Sequence, residues 1–190
     1  MNLSRDSVPL VAETLHDALK DHDENELVGI SCLAQGSDQI FARVVLEHGG
    51  TVEVVLPAAD YRERKIEPEN LPEFDDLMNR AHVVRTLPCE KSDGDAYMAA
   101  SAEMLDSADS LIAVWDGNPS GGYSGTADVV ATARERGIPV TMVWPDGARR
   151  DQNVFHSPFW WPRGSPVKQS TTVMLVRDGV PLQCCKRSVP

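Results

Sequence analysis

Two short stretches carry the residue types that could do chemistry. Gly121, Gly122, Ser124, Gly125 and Thr126 follow an apolar run, Leu111-Ile112-Ala113-Val114-Trp115, and lead into a helical pattern with Ala127, Val130, Ala131 and Ala133 on one side. Such a loop between a strand and a helix presents backbone N–H groups to an anion. Glycine allows close approach, and the first helical turn offers unpaired N–H groups at the positive end of the dipole. The chemistry implied is a phosphate cradle, although the same glycines also suit an ordinary connection, because a lone glycine motif has little specificity. The second stretch, Gly36-Ser37-Asp38, follows the run Leu27 to Cys32 and precedes a helical pattern carrying Ile40, Phe41, Val44 and Val45. Asp38 reads either as an acid facing a ligand or as a plain helix N-cap.

Those loops need strands and helices to hold them. A helix is expected from about Ser7, with Val8, Val11, Leu15, Ala18 and Leu19 on one face, Ser7 or Asp6 as its cap and Pro9 in its first turn. Strands are expected at Leu27–Cys32, Val52–Leu56, His82–Leu87, Leu111–Trp115 and Val140–Trp144, with helices at Leu71–Ala81, Asp93–Asp106 and Thr126–Arg136. Residues 58–70 read as a polar, irregular loop in which Tyr61, Arg62 and Arg64 could close over a ligand or simply be solvated. Alternating strands and helices point to an α/β, Rossmann-like, mainly parallel sheet with helices on both faces. Ligands bind such sheets beyond the carboxyl ends of the strands, where both glycine-bearing loops fall. Two segments are expected: a domain at 1–150 and an irregular extension at 151–190. Within the extension, Thr171–Val176 is a strand candidate and Asp178-Gly179 a hairpin turn.

Composition narrows the function classes. The net charge of −11 argues against a general nucleic-acid binder. Residues 151–190 carry +3 (five basic, two acidic), which leaves −14 on the rest, a solubility feature more than a site. Cys32, Cys89, Cys184 and Cys185 lack zinc-ligand spacing, and no secretory signal is read ahead of them, so a reducing, cytoplasmic compartment is expected. No Lys follows the glycine loop in Walker fashion, and no cofactor or metal is expected. No apolar run approaches the ~20 residues that span a bilayer.

The segments Leu27–Pro57, LVGISCLAQGSDQIFARVVLEHGGTVEVVLP, and Ala108–Val140, ADSLIAVWDGNPSGGYSGTADVVATARERGIPV, together resemble the SLOG superfamily. That group includes the LONELY GUY phosphoribohydrolases and the DNA-processing protein A domain, and its fold is similar to that of the nucleoside deoxyribosyltransferases. The resemblance covers about Leu27 to Pro145. It implies that Gly36, Ser37 and Asp38 lie beside a sugar-phosphate and that Gly121, Gly122, Ser124, Gly125 and Thr126 wrap its phosphate. In the phosphoribohydrolases a catalytic Glu follows the cradle Thr by three residues; here Val129 stands there and Asp128 is the nearby acid. The family's first, central strand has no counterpart ahead of the N-terminal helix: either the sheet lacks it, or another segment, Thr171–Val176, fills its place. Three functions follow: a module binding a nucleotide-type small molecule, an N-glycosidic hydrolase or transferase, or a structural homo-oligomer with an idle pocket. In the enzyme, Asp128 would be the catalytic carboxylate, with Asp116 or Asp38 on the ribose hydroxyls. A homo-oligomer, plausibly a dimer, is expected.

Overall fold

The computed structural model describes residues 3–118, 125–150 and 174–179. The first helix, α1 (Ser7–Leu19), buries Val11, Leu15 and Leu19, the spacing of a single helical stripe. Neither expected cap is used. Asp6 makes no capping bond, and the Ser7 hydroxyl instead donates to the Arg149 carbonyl (3.1 Å) and accepts from the Arg149 N–H (2.7 Å). Helix α1 leads into β1 (Leu27–Ser31), α2 (Ser37–Glu47) and β2 (Thr51–Leu56). Next come α3 (Tyr61–Lys65), a 3-10 turn (Pro68–Asn70), α4 (Leu71–Arg80) and β3 (Val83–Thr86). The second half holds α5 (Gly94–Asp106), β4 (Ser110–Val114), α6 (Thr126–Glu135), β5 (Val140–Val143) and β6 (Met174–Asp178).

The six strands form one sheet in the order β3-β2-β1-β6-β4-β5. The pairs β1–β2, β2–β3 and β4–β5 are parallel, as continuous apolar runs joined by helical crossovers require. Strand β6 is antiparallel to both neighbours and lies between β1 and β4, with Leu27 opposite Asp178 and Ile112 opposite Met174. A strand from beyond residue 150 thus lies at the sheet's centre, the place expected for Thr171–Val176. The observed strand sits a few residues later than Thr171–Val176, and residues 171–173 lie outside the described residues. Asp178 ends the strand; the rest of the expected hairpin also lies outside them.

Alternation along the strands divides the core. One cluster unites α1, α2 and α4 with Val52, Val54, Ile112 and Val114; the other unites α5 and α6 with Val28, Ile30, Val55, Leu111 and Ala113. Helices therefore cover both faces. Gly29 lets α2 sit close: a Cβ there would lie 2.7 Å from Val45 Cγ2 and 2.9 Å from Phe41 Cε1. On the face of Val55, Glu53 is wholly buried. Its carboxylate meets Arg177 of β6 at 2.5 Å and Arg85 of β3 at 3.7 Å, and Arg85 also reaches Glu103 of α5 at 3.1 Å. This chain of charges crosses β1 and ties the last strand to the first half of the sheet. The far end of β6 is anchored by backbone bonds from Asp109 N–H to the Val176 carbonyl and from Gly179 N–H to the Glu26 carbonyl, both 3.0 Å.

Residues 58–70 are not the irregular loop expected. Tyr61 is 1% exposed and packs its ring against Phe74 and Tyr97, with centroids 6.3 and 6.1 Å away. Arg62 forms a two-point bond with Asp75 (2.8 and 2.6 Å), and Arg64 faces Asp60. The polar letters hid two apolar anchors, Tyr61 and Ile66, with charges satisfied locally around them, so these side chains are not poised to close over a ligand.

Candidate functional site

The connection after β1 and the connection after β4 both leave the carboxyl edge of the sheet, on either side of the point where β6 enters. Chain order runs outward in opposite directions from this point, the arrangement in which open α/β sheets hold ligands.

The β1–α2 loop is built on Asp38, which lies in the first turn of α2 and is wholly buried. It is not the N-cap; that position belongs to Gly36. Asp38 instead reaches back under the loop. Its Oδ2 accepts from the Ser31 hydroxyl (3.1 Å), the Cys32 thiol (3.2 Å) and the Ala34 N–H (3.2 Å). The Ser31 hydroxyl accepts in turn from the Leu33 N–H (3.0 Å), and Leu33 takes a left-handed φ of +54°. A bulky residue in that region is strained and persists only where its surroundings enforce it. The enforcement is visible: the Gln39 side-chain amide donates to the Leu33 carbonyl (3.2 Å) and accepts from Asn70 (2.6 Å). Gly36 then turns at φ +104°, a conformation glycine tolerates.

Two polar atoms in this loop are buried with no hydrogen-bond partner, Asp38 Oδ1 and Ser37 Oγ. Burial also pushes the Asp38 carboxyl up to about 6, against the lowering effect of its three donors. The neighbouring Cys32 thiol is driven well above its ordinary value, first by burial and then by the Asp38 charge, which makes it a poor nucleophile. The Tyr61 hydroxyl, 3.8 Å from the Cys32 sulfur, is raised for the same first reason.

On the other side, Asp116 follows β4 and accepts from the Asn118 N–H (3.1 Å) and from Arg150 (2.5 Å). Partial burial works against its charge, but these donors prevail and hold the carboxyl below its usual range. Gly125 is the N-cap of α6 and Thr126 its buried first residue. Asp128, three residues into the helix, turns its carboxylate back onto the Gly125 N–H at 3.0 Å, the reach-back half of a capping box. One amide of the expected cradle is therefore stoppered by the protein's own side chain. The expected catalytic acid places its side chain at the mouth of the helix. Gly121, Gly122 and Ser124 lie outside the described residues.

The fold thus brings Gly36, Ser37 and Asp38 to one side of β6, and Asp116, Gly125, Thr126 and Asp128 to the other. Sequence reasoning did not find the supports Ser31, Gln39, Asn70 and Arg150. Ser31 could have been flagged as a polar residue ending an apolar strand; Arg150 gave no signal. The same edge also carries a shallow depression of about 570 Å³, lined by Cys89, Glu90, Lys91, Asp93, Asp95, Ala96 and Ala99 at the start of α5. Its excess of carboxylates does not suit a phosphate. Among the described residues no group of three or more His, Cys, Asp or Glu is arranged to hold a metal ion, and no helix is long and apolar enough to cross a membrane. The sequence matches no protein-family model and no curated protein.

Proposed function

We propose that the carboxyl edge of this sheet binds a nucleotide-derived, phosphoribosyl-type ligand, in the manner of the SLOG superfamily that the sequence resembles, and does not turn it over. The observation that carries the reading is the orphaned pair, Asp38 Oδ1 and Ser37 Oγ, buried under a strained loop at the start of α2. Buried polar atoms are almost always paired. With the loop displaced, a carboxylate oxygen lacking a donor and, one residue before it in the chain, a hydroxyl lacking a partner suit a sugar hydroxyl with phosphate beyond it. The commitment of Asp128 to the Gly125 amide favours binding over hydrolysis, because glycoside cleavage needs a carboxylate at the anomeric carbon.

The test is a thermal melt against a panel of nucleoside monophosphates and ribose 5-phosphate. A ligand at a hundred times its Kd stabilises by about 2.7 kcal/mol, which raises Tm by roughly 5–11 °C in a chain of this size. Ser37→Ala should shrink the rise, and chromatography should find no free base. Base release that disappears in Asp128→Asn would establish the second reading, an N-glycosidic hydrolase or transferase. No shift with any member of the panel removes both. A cytoplasmic homo-oligomer belongs to the same proposal; sedimentation velocity tests the assembly directly.

A further inference from the structure

A pair of imidazoles meets where α1 and α2 pack together, at the amino edge of the sheet and so at the end opposite the candidate nucleotide site. His16 stands in the last turn of α1, its neighbours Leu15 and Leu19 locked in the core. His48 is the C-cap of α2. Its N–H donates to the Val44 carbonyl (3.0 Å), Gly49 follows in a left-handed turn at φ +83°, and the Gly50 N–H closes onto the Val45 carbonyl (3.0 Å). Both rings thus project from fixed backbone. His16 Nδ1 lies 3.0 Å from His48 Nε2, with ring centroids 5.0 Å apart. The outer nitrogen of His16, Nε2, faces Glu47 Oε2 at 3.1 Å.

We propose that His16 and His48 form a two-imidazole binding site for a divalent transition ion of tetragonal preference, copper(II) ahead of zinc(II), with Glu47 orienting His16 from outside. At metal–nitrogen bonds of about 2.05 Å, the observed 3.0 Å separation corresponds to an angle of about 94° at the ion. Tetrahedral ligands with such bonds would stand about 3.3 Å apart. An angle near 90° belongs to square-planar and tetragonal nitrogen sites, and copper(II) also binds imidazole most tightly in the divalent series. Glu47 supplies a second, independent feature. A metal-bound imidazole usually gives its other N–H to a carboxylate, which fixes the tautomer and raises ligand basicity. In the tautomer with its proton on Nε2, facing Glu47, His16 turns its Nδ1 lone pair toward His48. The ion needs only that His48 carry its proton on Nδ1. With no larger cluster of His, Cys, Asp or Glu arranged around the pair among the described residues, water completes the coordination.

The test uses the full chain with Cys89, Cys184 and Cys185 changed to Ser, so that their thiols do not capture the probe. Copper(II) chloride is titrated and followed by electron paramagnetic resonance and by competition with a chelating dye. One equivalent should bind with two equatorial nitrogens. His16→Gln and His48→Gln should each weaken binding at least tenfold and remove one nitrogen. Glu47→Gln should weaken it about tenfold with the nitrogen count unchanged. Circular dichroism checks that each variant is folded. Copper uptake that is absent, or indifferent to both histidine substitutions, reduces the pair to a hydrogen bond between two helices and overturns the proposal. Its outcome is independent of nucleotide binding at the other edge.

Discussion

Replacing Arg177 with Met tests the placement of β6 through its ion pair with the buried Glu53. The substitution keeps most of the side-chain volume but strips Glu53 of its 2.5 Å partner. Glu53 is wholly buried, and Arg85, shared with Glu103, stands 3.7 Å away. Removing one member of a buried ion pair costs about 3–5 kcal/mol, because the remaining charge is desolvated without compensation. For a chain of 190 residues each kcal/mol moves Tm by about 2–4 °C, so Arg177→Met should lower it by roughly 6–20 °C. Glu53→Leu adds the second arm. Alone it strands Arg177; combined with Arg177→Met it leaves an apolar contact, which is often neutral by comparison. Urea unfolding of the four proteins forms a double-mutant cycle, and a coupling of about 2 kcal/mol or more is expected. Single costs below about 1 kcal/mol, or strict additivity, would falsify the buried tie between β6 and β2.

Gly29→Ala should cost about 1–3 kcal/mol in urea unfolding, because the new methyl meets Val45 and Phe41 below 3 Å on a packed helix; a neutral result would mean that α2 is not seated as described. The Asp38 carboxyl, raised to about 6 by burial, keeps its proton in the folded chain after the unfolded chain has lost it. Stability should therefore fall as pH rises from about 4 to about 6, by up to roughly 3 kcal/mol relative to Asp38→Asn, as two units at 1.36 kcal/mol each. Parallel pH dependences for the two proteins refute that assignment. Asp128→Ala should lower stability by about 1 kcal/mol through loss of the cap on Gly125, without abolishing ligand-induced stabilisation; loss of that stabilisation would move Asp128 from cap to contact.

Pattern carried the architecture because most strands of the parallel halves are short, largely apolar runs, with Pro57, Gly117 and Pro145 just beyond three of them. The runs at Leu27, Val52, Leu111 and Val140 each fall within a residue or two of the observed strands. The central place of a C-terminal strand was inferred from a vacancy in the family's sheet. Its antiparallel direction was not, because residue types do not encode strand direction. Tyr61 misled, since one apolar letter among charges reads as solvated while the fold uses it as a core anchor. The site was legible as loops and not as contacts. Gly36 and Gly125 announced the turns, but that Asp38 would brace its loop from beneath and Asp128 would seal its own helix depends on reach across three to seven residues, which letters alone do not order.

The central antiparallel strand has a consequence for how the molecule is made. Strands β1 and β4, the most deeply apolar of the set, have each other's side of the sheet open until residues 174–178 emerge from the ribosome and slide between them. Until then the nascent chain holds two half-sheets with raw edges, a state prone to wrong pairing. Joining the halves thus waits on a segment made after both of them, and translation products stalled or clipped before residue 174 should be found in aggregates or on chaperones rather than in the soluble pool.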